Sequence, residues 1–349
     1  MKLTGIVAAG VQLIFMRVPT LSHGRNSWLF KDETGGAFIT PSQISACQQN
    51  FGIPRQSTNP LDLTKLTPLI GITNGDAQIK VAIIDGPVFK EHPDLSTANF
   101  LEIGSRGQSS CTQNGSAACQ HGTFVAGMLA AKRDSSARGI CPGCTFLVRP
   151  IFLESASQLA EMPSATPGEL ADAIVECIDA GARVINLSVA IGQPQSKSEI
   201  KLEEALDYAL RRGVLVVAAA GNQGTVGSTS ITRHPWVIPV VGCDQHGRPL
   251  NESNLSNSIG RQGLSAPGDA VTSLSTDGRT LVSGGTSVSA PFVTGAIALL
   301  WSEFPAASAS DLKQALMQSN RRRTVVPPLL DGWAAFQFLL SRHSQAVAA

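Results

Sequence analysis

Ile79-Lys80-Val81-Ala82-Ile83-Ile84-Asp85 is a short apolar run, rich in β-branched residues, that ends in a carboxylate and is broken at once by Gly86-Pro87. A run apolar on both faces reads as a buried strand of a parallel sheet. Asp85 then stands at the strand's carboxyl end, where open α/β sheets gather their reactive groups. The pattern recurs downstream: Cys144 to Phe152, Arg183 to Val189, Val214 to Ala219 and Val237 to Val241 read as further strands. Thr166 to Ala180 reads as a helix with Thr166 as its cap, Pro167 in its first turn and Gly181 just past its end. Lys201 to Arg212 reads as another, stopped by Gly213. Strands alternating with helices predict right-handed βαβ units. The expected fold is therefore three-layer α/β/α, with a mostly parallel, twisted sheet covered on both faces. No repeat and no second domain is visible.

Composition agrees. Of 349 residues, 43% are hydrophobic and 15% charged, with 33 Gly and 20 Pro, as in a loop-rich globular protein with material for a large core. A formal net charge of +1 gives no reason to expect nucleic acid or a membrane surface as partner. Leu63 to Ile72 reads as a short amphipathic helix or turn docking on the domain start. Leu3 to Met16 is apolar and follows Lys2, as a signal h-region would, but no small-residue cleavage site follows it. It is also too short to span a bilayer as a helix. The expectation is a cytoplasmic protein, with secretion as the alternative. The seven cysteines are an odd number. The close pairs Cys111/Cys119 and Cys141/Cys144 are a weak zinc pattern and read better as free thiols or local disulfides.

Gly284 to Trp301 runs Gly-Gly-Thr-Ser-Val-Ser-Ala-Pro-Phe-Val-Thr-Gly-Ala-Ile-Ala-Leu-Leu-Trp. Two glycines permit a tight turn, and Val288, Phe292, Val293, Ile297 and Leu300 recur at helical spacing. Ser287 would sit in the first turn, among free N–H groups at the positive end of the helix dipole. Pro291 is expected near the helix start, where a missing N–H is tolerated. A serine there could simply cap a core helix. The other reading needs a base, an orienting acid and an oxyanion donor elsewhere, because a neutral hydroxyl is a poor nucleophile. Asp85 and His121 supply the first two, each at an element end. Ala218 to Gly224 supplies the third: an apolar strand ends in Gly221-Asn222, and Asn222 is either an ordinary turn residue or an oxyanion donor.

With these blocks in the order Asp, His, Ser, the chain resembles the subtilisin-like serine proteases. The resemblance runs from about residue 66 to 305, through Ile84-Asp85-Gly86, His121-Gly122-Thr123, Ala219-Ala220-Gly221-Asn222 and Gly285-Thr286-Ser287-Val288-Ser289-Ala290-Pro291. It implies a subtilisin-like catalytic domain over 61–320, preceded by an extension or leader (1–60) and followed by a helical tail (321–349). It also implies a serine endopeptidase in which Ser287 is nucleophile, His121 general acid and base, Asp85 orienter, and Asn222 an oxyanion donor beside the Ser287 N–H. Ser188, Val189, Ala190, Ala219 and Gly221 would line the substrate. The partner implied is a peptide or protein, and no cofactor is expected. A structural calcium of the kind found in the family remains unplaced, since nothing around Asp269 gathers oxygen ligands.

Asp85-Gly86-Pro87-Val88 with His92-Pro93, and Gly139 to Cys144 with Arg149 to Phe152, look more narrowly like the PatA/PatG group of subtilases, which process ribosomally made precursors such as cyanobactins. Leader removal by hydrolysis is the implied role. The alternatives are a macrocyclase or transpeptidase of the same family, or a peptide-binding pseudo-protease. Macrocyclising relatives carry a helical insertion between the Asp and His blocks. Here those residues are 36 apart, and the gap is polar without a helical period, which favours hydrolysis. Several positions depart from the family. Gly86 stands where most members have a hydroxyl residue beside the carboxylate, and Phe124 replaces a second histidine. Ser188 to Gly192 replaces a Ser-Leu-Gly-Gly-type edge, and no long pro-domain precedes Asp85. His92, His234, Trp236 and Trp301 read as turn or core residues. A Cys111–Cys119 crosslink would hold the loop before His121.

Overall fold

The computed structural model describes residues 59–104, 110–113, 115–152, 154, 165–188, 196–318 and 324–348, and four short strands before them. Of those, β1 (Gly5–Ala8) pairs antiparallel with β2 (Val11–Ile14), and β3 (Met16–Arg17) with β4 (Trp28–Leu29). The apolar stretch that could pass for an h-region thus turns back on itself as a hairpin. Residues 1–57 form one unit and residues 58–349 another.

The second unit opens with α1 (Pro60–Leu63) and α2 (Thr67–Ile72), two helices where one was expected. Between them Lys65 takes a φ of 51°, a left-handed value that ends the first helix. Next come β5 (Lys80–Asp85), β6 (Asn99–Glu102), α3 (Ala117–Ala130), β7 (Thr145–Pro150), α4 (Pro167–Asp179) and β8 (Val184–Leu187). They are followed by α5 (Ser196–Arg212), β9 (Leu215–Ala219), α6 (Ser230–Arg233), β10 (Val237–Cys243), α7 (Asn257–Gln262) and β11 (Leu264–Pro267). The antiparallel pair β12 (Val271–Leu274) and β13 (Thr280–Ser283) leads into α8 (Thr286–Glu303), and α9 (Ala309–Leu316) and α10 (Gly332–Ala348) close the chain.

Seven strands make one sheet in the order β11-β10-β9-β8-β5-β7-β6, every pairing parallel. This is the expected fold. Val81 to Asp85 are all buried, as their unbroken apolar run demands. The chain leaves β5 toward β7 and β6 and later crosses back to add β8 on its other side. That reversal places a crevice at the carboxyl ends of β5, β8 and β9. On the sheet α3 packs against α8, while α4 packs against α5. At the start of α4 the Thr166 hydroxyl accepts from Glu169 N and the Glu169 carboxylate accepts from Thr166 N, a capping box that fixes the helix where its sequence placed it.

Helix α8 is enclosed, as a core helix should be: every residue from Val288 to Trp301 is buried. A helix enclosed on all sides needs no amphipathic period. Pro291 is its sixth residue rather than part of its opening, so its missing N–H falls inside the hydrogen-bonded ladder.

The last segment belongs to the same unit. Ser265 of β11 donates its N–H to Pro328 O at 2.7 Å and accepts from Leu330 N at 2.8 Å, so residues 328–330 run alongside β11. Leu330, Ala335 and Leu339 join the main core. No helix among the described residues is long and apolar enough to cross a membrane.

Candidate active site

Ser116 caps α3 by accepting from Cys119 N at 3.1 Å, which puts His121 on the next turn. His121 Nδ1 lies 2.7 Å from Asp85 Oδ1, and Asp85 is 0% exposed. A carboxylate only accepts, so Nδ1 carries the proton and Nε2 keeps the basic lone pair. Burial by itself would lower the His121 pKa. The Asp85 charge and hydrogen bond outweigh that and hold it above the ordinary histidine value. Asp85 Oδ1 also accepts from Gly86 N at 2.7 Å, while buried Oδ2 has no hydrogen-bond partner among the described residues.

The missing hydroxyl beside Asp85 has a steric cause. A Cβ on Gly86 would lie 2.0 Å from Ala118 O, in the first turn of α3, and one on Gly122 would lie 2.4 Å from Pro87 O. Helix and loop approach backbone to backbone, and only glycine fits at either position.

The loop before α3 is secured twice. Cys111 and Cys119 form a disulfide. Glu154, just beyond β7, accepts from Thr112 N at 2.8 Å, Thr112 Oγ1 at 2.5 Å, Gln113 N at 3.0 Å and Ser116 Oγ at 3.1 Å. Among the described residues Cys111, Cys119 and Glu154 are also the one group close enough to share a metal ion. The bridge occupies both sulfurs, however, and both Glu154 oxygens already accept. Cys141, Cys144, Cys177 and Cys243 are buried free thiols.

Gly285, with φ of 105°, turns the chain into α8, so that Thr286 and Ser287 open the helix. Ser287 is half-buried and its hydroxyl makes no hydrogen bond among the described residues. Helix α3 packs on α8, and β8, which leads into Ser188 beneath the opening turn of α8, is the sheet neighbour of β5, which ends in Asp85. Four residues before Pro291, the Ser287 carbonyl has lost its helical donor. The Ser188 hydroxyl replaces it, donating to Ser287 O at 3.1 Å. Ser188 Oγ in turn accepts from Asn186 Nδ2 at 2.8 Å, and Asn186 Oδ1 from Thr294 Oγ1 at 2.8 Å. Ser188 was expected along the substrate, and its side chain turns to the opening turn of α8.

Asn222 leaves β9 through Gly221, whose φ is 100°. Its Oδ1 accepts from Thr286 N at 2.8 Å and Thr286 Oγ1 at 2.9 Å, which identifies the oxygen and turns Nδ2 away, with no hydrogen bond among the described residues. A donor so held is free for an oxyanion. Ala219 and Gly221 are buried at the end of β9. Val189 and Ala190 lie outside the described residues. The structure thus joins His121 to Asp85 at the end of β5, and Asn222 at the end of β9 to Thr286, the neighbour of Ser287. It adds Thr286, Asn186, Thr294 and Glu154 to the residues read from the sequence. Thr286 alone had a signal there, its place beside Ser287.

Residues 76–333 match the profile described as the Subtilase family. The thermophilic serine proteinase of Bacillus sp. (strain AK1) is 32% identical over 236 residues, which are 66% of this chain and 54% of that protein. The chain therefore spans about half the length of this curated relative. Among solved structures, that of the patellamide maturation protease PatA is 31% identical with a TM-score of 0.63, over 76% of this chain and 98% of that chain. The PatG macrocyclase domain superposes with a TM-score of 0.70 at 20% identity, over 82% of this chain and 99% of that domain, which is a likeness of fold.

Proposed function

Because the chain belongs to the Subtilase family of serine endopeptidases, we propose that it hydrolyses peptide bonds with Ser287 as nucleophile, His121 as general base and acid, Asp85 as orienter and Asn222 as oxyanion donor. The observation that carries this reading is the 2.7 Å bond between His121 Nδ1 and buried Asp85. It fixes the tautomer that leaves Nε2 basic. Ser287 Oγ attacks the substrate carbonyl as Nε2 takes its proton, and Asp85 stabilises the imidazolium. The oxyanion meets Asn222 Nδ2 and the Ser287 N–H, which lies in the opening turn where helical N–H groups have no intrahelical partner. Nε2 then protonates the leaving amine, and water releases the acyl group by the reverse proton path.

The substrate class proposed is a ribosomally made precursor peptide, cleaved to free its leader, in line with the name and 31% identity of PatA. Water is the proposed acceptor. The described residues between Asp85 and His121 form a 3-10 turn (Pro93–Leu95), the strand β6 and the start of α3 itself, with no separate helix to shield an acyl-enzyme. The Cys111–Cys119 bridge favours an oxidising compartment over the cytoplasm. Labelling with a fluorophosphonate probe tests the reading: the wild type should label and Ser287→Ala should not. Mass spectrometry of products from a peptide library should show linear fragments, whereas cyclic products would favour the macrocyclase alternative. A protein that neither labels nor cleaves would be a peptide-binding scaffold.

A further inference from the structure

Asn254 lies in the polar stretch Asn251-Glu252-Ser253-Asn254, which has no periodicity and no partner nearby in sequence. In the structure it is 8% exposed and its side-chain amide is used at both ends. Oδ1 accepts from Gln223 N at 3.1 Å, Thr225 N at 3.1 Å and Thr225 Oγ1 at 3.0 Å. Nδ2 donates to Ala220 O at 3.2 Å and Gln223 Oε1 at 2.7 Å. The Asn254 backbone N–H donates to Gly221 O at 2.9 Å. Every one of these partners flanks Asn222, and none is Asn222 itself.

The turn from Ala220 to Thr225 is not one that a chain adopts freely. Gly221 and Gly224 have φ of 100° and 61°. A Cβ on Gly221 would lie 2.4 Å from Asn254 Nδ2 and 2.7 Å from Gln223 Oε1, so the amide is seated where a side chain at 221 would be. Such a turn needs an anchor that accepts from the N–H groups on its far side and donates to the carbonyl on its near side. Asn254 Nδ2 donates twice, to Ala220 O and Gln223 Oε1, while Oδ1 accepts; a carboxylate has no donor and a serine hydroxyl only one, so an amide alone fills every place.

We propose that Asn254 is a positioning residue for the oxyanion site, holding the Ala220–Thr225 turn so that Asn222 Nδ2 is aimed at the developing negative charge. The proposal rests on the protease reading above and extends it. Asn222 has two supports: Thr286 holds its Oδ1 directly, and Asn254 holds the backbone on either side. An oxyanion donor acts only if it is already in place when charge develops, so loosening the turn costs transition-state binding and leaves ground-state binding intact.

The test is a double-mutant cycle of Asn254→Ala with Asn222→Ala, reading kcat and KM on a cleaved peptide. Loss of an oxyanion donor costs about 10²–10³ in kcat, which sets the ceiling for Asn254→Ala acting through it. Asn254→Ala should lower kcat by roughly tenfold or more within that ceiling, with KM unchanged. In the Asn222→Ala background it should lower kcat by less than about twofold, since nothing is left to aim. Should Asn254→Ala fail to fold, the near-isosteric Asn254→Asp replaces it in the cycle. It keeps the acceptor and loses both donors, and should show the same dependence on Asn222. Multiplicative losses, or a loss confined to KM, would overturn the proposal while the protease reading stands. A folded wild type without turnover would overturn both.

Discussion

Gly86→Ser would restore beside Asp85 the hydroxyl that related proteases carry, and Asp85 Oδ2 is buried without a partner among the described residues, so the substitution looks stabilising. A hydrogen bond to a charged acceptor contributes about 1.5–3 kcal/mol. Geometry predicts the opposite outcome. The new Cβ would lie 2.0 Å from Ala118 O, 2.6 Å from Ala118 C and 3.1 Å from Ala118 Cα. All three are backbone atoms of α3, so no side-chain rotation relieves the collision. Either the helix retreats by about an ångström or Gly86 leaves its place. Overpacking of this kind costs about 1–3 kcal/mol, and a backbone-to-backbone clash belongs at the upper end. Since about 1 kcal/mol moves the melting point of a domain near this size by 2–4 °C, the serine variant should melt roughly 6–12 °C below wild type. His121 travels with α3, and a displacement near 1 Å should lower kcat about 10²-fold. Thermal melting and kcat, measured beside Gly86→Ala, which has the Cβ without the hydroxyl, complete the experiment. A serine variant that melts at or above wild type with kcat retained would refute the close-approach argument.

The Asp85–His121 pair predicts a pH profile. His121 must be neutral to act as base and its pKa is raised, so kcat/KM should fall as pH drops through a value above the usual 6.5. Asp85→Asn should move that limb downward and reduce kcat by about 10⁴. For stability the sign is reversed. The raised pKa contributes stability that is fully present below about 6.5 and lost as pH rises through the folded value, which pH-dependent melting of wild type and His121→Ala would expose. Cys111→Ser opens a crosslink spanning 8 residues of sequence, worth roughly 2–3 kcal/mol by loop closure. It should lower both melting temperature and kcat, and unchanged values of both would show that the bridge does not hold the histidine loop.

Much of the architecture was legible because local chemistry and global fold agree. The apolar run into Asp85 and the Thr166/Glu169 capping box carry their meaning within a few residues, and so do the glycines before Ser287. What escaped was long-range. The short strand β6 has an exposed, partly polar face, and β11 to β13 are four residues each, too short for a period to show. Helix α3 starts at Ala117, four residues ahead of His121, because its cap Ser116 is held by Glu154, 38 positions away in sequence, which no local pattern announces. Pro291 looked like an N-terminal proline. Its consequence, a Ser287 carbonyl needing a donor from Ser188, appears only when every backbone group is accounted for. The partners of Asn254 lie 29 to 34 positions away.

The pairing of residues 328–330 with β11 bears on how this protein avoids its own kind. A terminal strand in a parallel sheet offers a row of free N–H and C=O groups to any other chain. On one flank of the sheet, β6 is short and carries Glu102, salt-bridged to Lys90, a charge that discourages recruitment. On the other, β11 has only buried residues and no charge, and the returning tail occupies its outer side. Ending the chain at 320 would therefore do more than remove an appendage. It would strip the cover from a hydrophobic edge and the core sites filled by Leu330, Ala335 and Leu339, turning a monomer-compatible sheet into a template for aggregation.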